Sequence, residues 1–285
     1  MTQIPSMMDM LKAGMHFGHQ KSRWHPKMKP YIFGVRNGVH ILNLERTTEE
    51  LQKALDYVKS LAASGKVVLF VGTKRQAQSL IKAAAESCEM PFLTERWIGG
   101  LLTNFDETKQ RIKKYKTLKQ QIATGEIEKY TKKEQSDLVK LVAKMDKYLA
   151  GLTNLEKMPD AMFVVDMRVC KTAVTEGLRT NVPIIGVCDS NVNPDQADFV
   201  IPANDDAINS IKTISNLMAE AVNEGKKEWE KNRVSLEKES KRHEVKSMAT
   251  SSENLNNSGK SSAVKSAPAK TVKKERRVMT KESSI

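Results

Sequence analysis

Residues 16 to 34, HFGHQKSRWHPKMKPYIFG, hold three histidines, one tryptophan and four lysines or arginines. Side chains of these types, this close together, serve three chemistries. Imidazoles ligate metals, they move protons, and they sit among cations that grip an acidic partner. Four of the chain's five histidines fall between positions 16 and 40. The acids that would complete a metal site come much later: Asp189 ends one apolar run, and Asp205-Asp206 follow another. The same residues also have plainer uses. Asp205 and Asp206 favour the macrodipole of a helix they open, Asp189 holds a turn, and His16 and His19 bond backbone groups.

Cations are the second candidate. Lys12, Lys21, Arg23, Lys27, Lys29 and Arg36 supply charge around the same stretch, with Trp24, His25 and Phe33 among them. ERWIGGLLTNF, residues 95–105, adds Arg96, Trp97 and Asn104 around two adjacent glycines. Cations neutralise phosphates, flat rings stack on unpaired bases, and glycines let a backbone come close, so nucleic acid fits the most features at once. The alternative is a basic surface with no partner.

Other chemistries find less. VGTKRQAQ follows an apolar run and opens a helical one, where backbone N–H groups can meet a phosphate. Neither of the glycine-rich phosphate-loop patterns is present there, so Lys74 and Arg75 read better as contacts to a nucleic-acid phosphate. No nucleophile elbow occurs, and Cys88, Cys170 and Cys188 lie too far apart for a zinc or disulfide framework. The competing class is a metal- or nucleotide-dependent α/β enzyme using His19, Asp189 and the Asp205-Asp206 pair.

Composition supports the polyanion partner. The 285 residues carry a formal charge of +13, with 39% hydrophobic and 28% charged side chains. Residues 226–285 contribute 16 basic and 8 acidic side chains, and residues 12–46 contribute seven basic and one acidic. The first ten residues lack the basic start and apolar stretch of a signal peptide. No run is apolar enough to span a membrane, so the chain reads as soluble and intracellular.

The elements that must position these residues alternate. Residues 6–15 predict a short helix capped by Ser6. Pro26 and Pro30 predict an extended HPKMKP with Lys27 and Lys29 on one side. Asn37-Gly38 predicts a type I′ hairpin turn. Helices are expected over 48–63, 74–87, 171–179 and 205–224, and buried strands over 66–72, 161–166, 182–189 and 199–202, with a short one at PFL. Apolar strands alternating with helices predict a mostly parallel sheet covered on both faces, at whose carboxyl ends sites form.

One segment interrupts the alternation. Phe105, Thr108, Ile112, Tyr115 and Ile122 keep heptad-like spacing, as do Leu138, Leu141, Met145, Tyr148 and Leu152. Gly125 and a Thr131/Glu134 capping box separate them. This predicts an antiparallel helical hairpin, a coiled coil, over 103–152. Its outer lysines serve either a solvated face or an RNA-facing one. The expected organisation is a basic segment and β-hairpin at 1–46, an α/β domain at 47–102 and 153–225, the hairpin between, and a basic, largely disordered tail at 226–285. Within that tail, 226–246 can continue as a charged helix, and disorder is expected from about Ser247.

Long blocks of the chain resemble a known family. MLKAGMHFGHQKSRWHPKMKPYIFGVRNGVHILNLERT, LFVGTKRQA, RWIGGLLTNF, PDAMFVVD, VPIIGVCDSNVNPD and DFVIPANDDAI are similar, in order over residues 7–225, to the bacterial small-subunit ribosomal protein S-two family. The resemblance implies a flavodoxin-like domain with a protruding helical hairpin, and no catalysis or small-molecule substrate. It implies contacts to small-subunit ribosomal RNA and neighbouring ribosomal proteins, and help in docking the messenger-RNA-capturing protein S-one. It also places HFGHQ near the carboxyl ends of the strands. His19 can then join Asp189, Asp205 and Asp206 in a structural site for zinc, or for magnesium with waters retained. No cofactor is required.

Overall fold

The computed structural model describes residues 4–258, with side chains described as far as Arg233. The chain divides into two units between Arg233 and Val234, and every site below lies in the first.

The amino-terminal segment forms α1 (Met7–Lys12), β1 (Phe17–Gln20), β2 (Ile32–Arg36) and β3 (Val39–Leu42). Ser6 caps α1, its Oγ accepting from Asp9 N. Asn37 and Gly38 take φ of 51° and 76°, the two positive values a type I′ turn needs. The hairpin is joined by β1, which pairs antiparallel with β3 to give the order β1-β3-β2. Residues Pro26–Tyr31 form a 3-10 helix, not the expected extended strip. The fixed φ of proline suits a first helical turn as well as an extended chain. His25 then decides, because its Nδ1 accepts from Lys27 N and caps the turn.

The α/β core follows: α2 (Leu44–Ala63), β4 (Val68–Val71), α3 (Arg75–Ser87), β5 (Phe92–Leu93), β6 (Ala161–Val165), α6 (Lys171–Thr180), β7 (Ile184–Cys188), β8 (Phe199–Pro202) and α7 (Ile208–Ser258). The five strands are parallel in the order β5-β4-β6-β7-β8, the 2-1-3-4-5 order of flavodoxin-like sheets. Strand residues alternate between two apolar clusters. Val68, Phe70, Phe163, Ile185 and Ile201 face α2, α3 and α7, while Leu69, Val71, Met162, Val164 and Ile184 face α6 and the base of the hairpin. Both faces are covered, so every position of β4, β6 and β7 is apolar or glycine and buried.

The helical hairpin is α4 (Phe105–Ala123) and α5 (Lys132–Leu149), with both halves of the Thr131/Glu134 capping box formed. Its seam differs from the expected heptads. On α5 it runs through Val142 and Leu149, which are buried, and leaves Leu141 and Tyr148 exposed. Ile112, Tyr115, Leu149 and Leu152 share one cluster with Trp97 and Leu101, so the base of the hairpin is built into the domain core.

The last helix, α7, runs to Ser258, past Ser247, where composition argues for disorder. The Glu and Lys residues of 226–246 are good helix formers, whereas 247–258, SMATSSENLNNS, is mostly Ser, Asn and Thr, and its composition gives no reason for the helix to continue there. Residues 259–285 lie outside the described residues.

Candidate ion cluster and RNA-facing strip

Four strands deliver charged side chains to one edge of the sheet. Lys74 follows β4, Asp166 follows β6, Asp189 follows β7, and Asp205-Asp206 follow β8. Parallel register brings these carboxyl ends level. Lys74 Nζ lies 2.8 Å from Asp205 Oδ1, 2.6 Å from Asp206 Oδ1 and 3.1 Å from Asp166 Oδ2. Burial pulls the ammonium's pKa down, but Asp205, Asp206 and Asp166 outweigh it and raise it above its ordinary value. Asp205 is fully buried. Burial, then the charges of Asp166 and Asp189, push its carboxyl up to about 7 against the pull of Lys74.

β1 brings His19 over this cluster. Its Nδ1 is 2.9 Å from Asp189 Oδ2, and its Nε2 is 3.4 Å from Asp206 Oδ2. Bonding to Asp189 raises the imidazole's pKa against the opposing effect of burial. The close approach depends on Gly18. A Cβ there would stand 2.9 Å from Ser190 Oγ and 3.1 Å from Asp189 Oδ1. Backbone stitches complete the seat: His19 N donates to Ser190 Oγ at 2.8 Å, His25 N to Ser190 O at 2.7 Å, and Asn204 N to Met15 O at 3.0 Å.

The structure therefore gathers His19, Asp189, Asp205 and Asp206. The donor atoms of His19, Asp205 and Asp206 lie within 4.8 Å of one another. Lys74, expected to meet a phosphate, is spent inside the cluster and supplies the positive charge that lets three aspartates sit together. Sequence reasoning also missed Asp166, although an acid directly after an apolar strand was a usable signal.

Of the proposed RNA contacts, Lys12, Lys21, Arg23, Lys29, Arg36, Arg75, Arg96 and Asn104 are exposed. Lys27 is exposed too, but its ammonium pairs with Asp195. Trp24 and His25 are half-buried, with the Trp24 ring centroid 5.3 Å from that of His40. Trp97 is not available for stacking. Only 8% of it is exposed, and its Nε1 donates to Glu176 Oε1 at 3.0 Å. Glu176, on α6, also accepts from Gly100 N at 2.8 Å, Leu102 N at 3.0 Å and Thr103 N at 3.4 Å. Burial alone would raise this carboxyl's pKa. The bonds outweigh it and hold the carboxyl below the ordinary range. No sequence pattern pointed to Glu176, because a glutamate on a helix reads as surface.

Comparison with known proteins decides what this arrangement belongs to. Residues 10–225 match the family described as ribosomal protein S2. The chain belongs to the ribosomal protein S2 family. It is 46% identical to a small ribosomal subunit protein uS2 of Bdellovibrio bacteriovorus over 81% of this chain and 73% of that one. It is 47% identical to a small ribosomal subunit protein uS2 of Campylobacter hominis over 78% of this chain and 83% of that one. The His19 seat, the strand-end cluster and the Glu176-held loop all lie inside the S2 match. The segment after Gly225 lies beyond it. A ribosomal protein of this family has a structural role in translation. Among the described residues, no helix is long and apolar enough to cross a membrane.

Proposed function

We propose that the chain is a non-catalytic structural constituent of the small ribosomal subunit, on cytoplasmic ribosomes, and that it grips ribosomal RNA with its amino-terminal strip. One observation carries the RNA contact. β1 and the 3-10 helix are stitched to the strand ends through Ser190 and Asn204. That fixes the strip while Lys21, Arg23, Lys29 and Arg36 remain exposed. A pre-set row of cations gains counterion release without the entropy cost of ordering a loose tail. Lys12, Arg75, Arg96 and Asn104 extend the surface, and Trp24 and His25 lie partly buried beside the strip. Binding of the full chain to protein-free small-subunit ribosomal RNA, against an unrelated RNA of equal length, tests this. Equal affinity for both would overturn it.

Protein S-one, on this proposal, docks on the outer face of the small sheet. Phe33 is 79% exposed, and Phe17, Val35 and Leu11 stand beside it around an open groove of about 690 Å³. An uncovered apolar patch on a soluble surface marks a protein contact. Arg36 and Asn37 at its edge leave room for polar rim bonds.

A structural metal at the strand ends is a separate proposal. Asp205 Oδ2 is buried and accepts no hydrogen bond among the described residues, so a donor is left over next to His19 and Asp206. An imidazole with carboxylates suits zinc, or magnesium with waters. Such an ion would share the acids with Lys74, neutralise them, and pin β1 to the domain.

A further inference from the structure

The exposed side of the hairpin carries a second apolar surface. Leu141, Met145 and Tyr148, at i, i+4 and i+7 of α5, make one ridge of about 10 Å along the helix. Leu141 is 40% and Tyr148 37% exposed, so neither belongs to the seam between α4 and α5. With Ile98 on one side, and Arg111 and Lys144 at the rim, they line an open groove of about 290 Å³. The wall carrying Ile98 is set in place, because the loop around it is held by the Glu176 carboxylate through Trp97 and Gly100.

We propose that this groove receives an amphipathic helix of another small-subunit protein, one whose apolar face is flanked by acidic residues. The floor is aliphatic and thioether surface with the ring of Tyr148 at one end, which suits apolar side chains and does not suit a phosphate backbone that must stay solvated. The rim asks for carboxylates. Lys144 is exposed and pairs with no acid among the described residues. Among the described residues Arg111 has only Glu107, at 4.0 Å on its own helix. A second copy of this chain is a poor occupant, since residues 103–152 carry 12 basic and 7 acidic side chains. The chain's own carboxy-terminal segment is basic as well and fits no better.

The proposal rests on the ribosomal reading, and one preparation tests both. Small subunits containing the tagged full chain are isolated by sedimentation and treated with a carbodiimide, which joins a lysine amine to a carboxylate in direct contact. Peptide mass spectrometry then reads the partner of Lys144. The expected result is an amide between Lys144 and an Asp or Glu of another small-subunit protein. It should disappear in Lys144→Arg and fall at least tenfold in yield in Leu141→Asp. Lys144 left unmodified, joined only to its own chain, or covered by RNA in a parallel ultraviolet cross-link at Tyr148 would overturn the proposal. A chain absent from the subunit peak fails the ribosomal reading. A chain present there without the amide fails only the groove.

Discussion

His19 and Asp189 are 170 positions apart in the chain, and their side chains meet at 2.9 Å. This contact ties the basic amino-terminal segment to the carboxyl ends of a parallel sheet. It places the exposed basic strip and the strand-end acids in one assembly. The position depends on Gly18, whose missing Cβ lets β1 lie against Ser190 and Asp189. Gly18→Ala should therefore weaken the seat and loosen the strip. Hydrogen exchange should show faster exchange at the His19 and His25 amides with the sheet unchanged. Unaltered exchange at both would contradict the account.

The metal proposal predicts retained zinc. Protein purified without a His tag and dialysed against trace zinc should hold about one ion, as expected for a single site of this donor set. His19→Ala and Asp206→Asn should hold less. Equal content in all three would leave Lys74 as the cluster's only resident cation.

Glu176 should set the stability of the Trp97–Thr103 loop. Glu176→Ala leaves several donors without an acceptor and should cost about 3 kcal/mol in a denaturant titration. The pH dependence has a definite sign. The folded pKa is depressed, so this stability is fully present above the ordinary glutamate range. It is lost as pH falls through the lowered value. Glu176→Gln should flatten the acid limb of the stability profile. An acid limb identical to wild type would show that the carboxylate is not a determinant.

The hairpin divides into a base and a tip. Removing residues 120–141 with a short Gly/Ser bridge should leave thermal unfolding cooperative and nearly unshifted. Tyr115→Ala should cost about 3 kcal/mol, because Tyr115 is fully buried and bonded to Asp146. A large loss of stability on removing the tip would place the core further out along the hairpin.

Much of this was legible in the residues. Apolar runs announced β4, β6, β7 and β8, Asn37-Gly38 announced the hairpin turn, and the doubly covered sheet told where Asp189 and Asp205 would go. What failed did so for physical reasons. Lys74 looked like a phosphate ligand because sequence does not show which acids a strand end will meet. Trp97 looked like a stacking platform because its partner, Glu176, is 79 positions away. The seam on α5 was right at Met145 and Leu152 but misplaced by one position at Leu141 and Tyr148, where Val142 and Leu149 are buried instead, since Leu141 and Val142 are equally apolar and only the facing helix chooses between them. Pro26 and Pro30 fit an extended chain and a 3-10 turn alike.

Salt dependence separates free cations from spent ones. Loss of one phosphate contact should lower the slope of log K against log salt by about 0.7 to 0.9. Lys29→Ala should show that drop on small-subunit ribosomal RNA. Lys27→Ala should show less, because its ammonium is paired with Asp195. Equal slopes for Lys29→Ala and wild type would turn that lysine to solvent.

The central claim is that this chain is a part of the small ribosomal subunit. Sucrose-gradient sedimentation of a cell extract containing the tagged full chain tests it most directly, at a magnesium concentration that separates the subunits. The account predicts that the chain travels with the small-subunit peak, stays there through a moderate salt wash, and leaves it when Lys21, Arg23 and Lys29 are all changed to Ala. A wild-type chain that remains at the top of the gradient, free of ribosomal RNA, would contradict it.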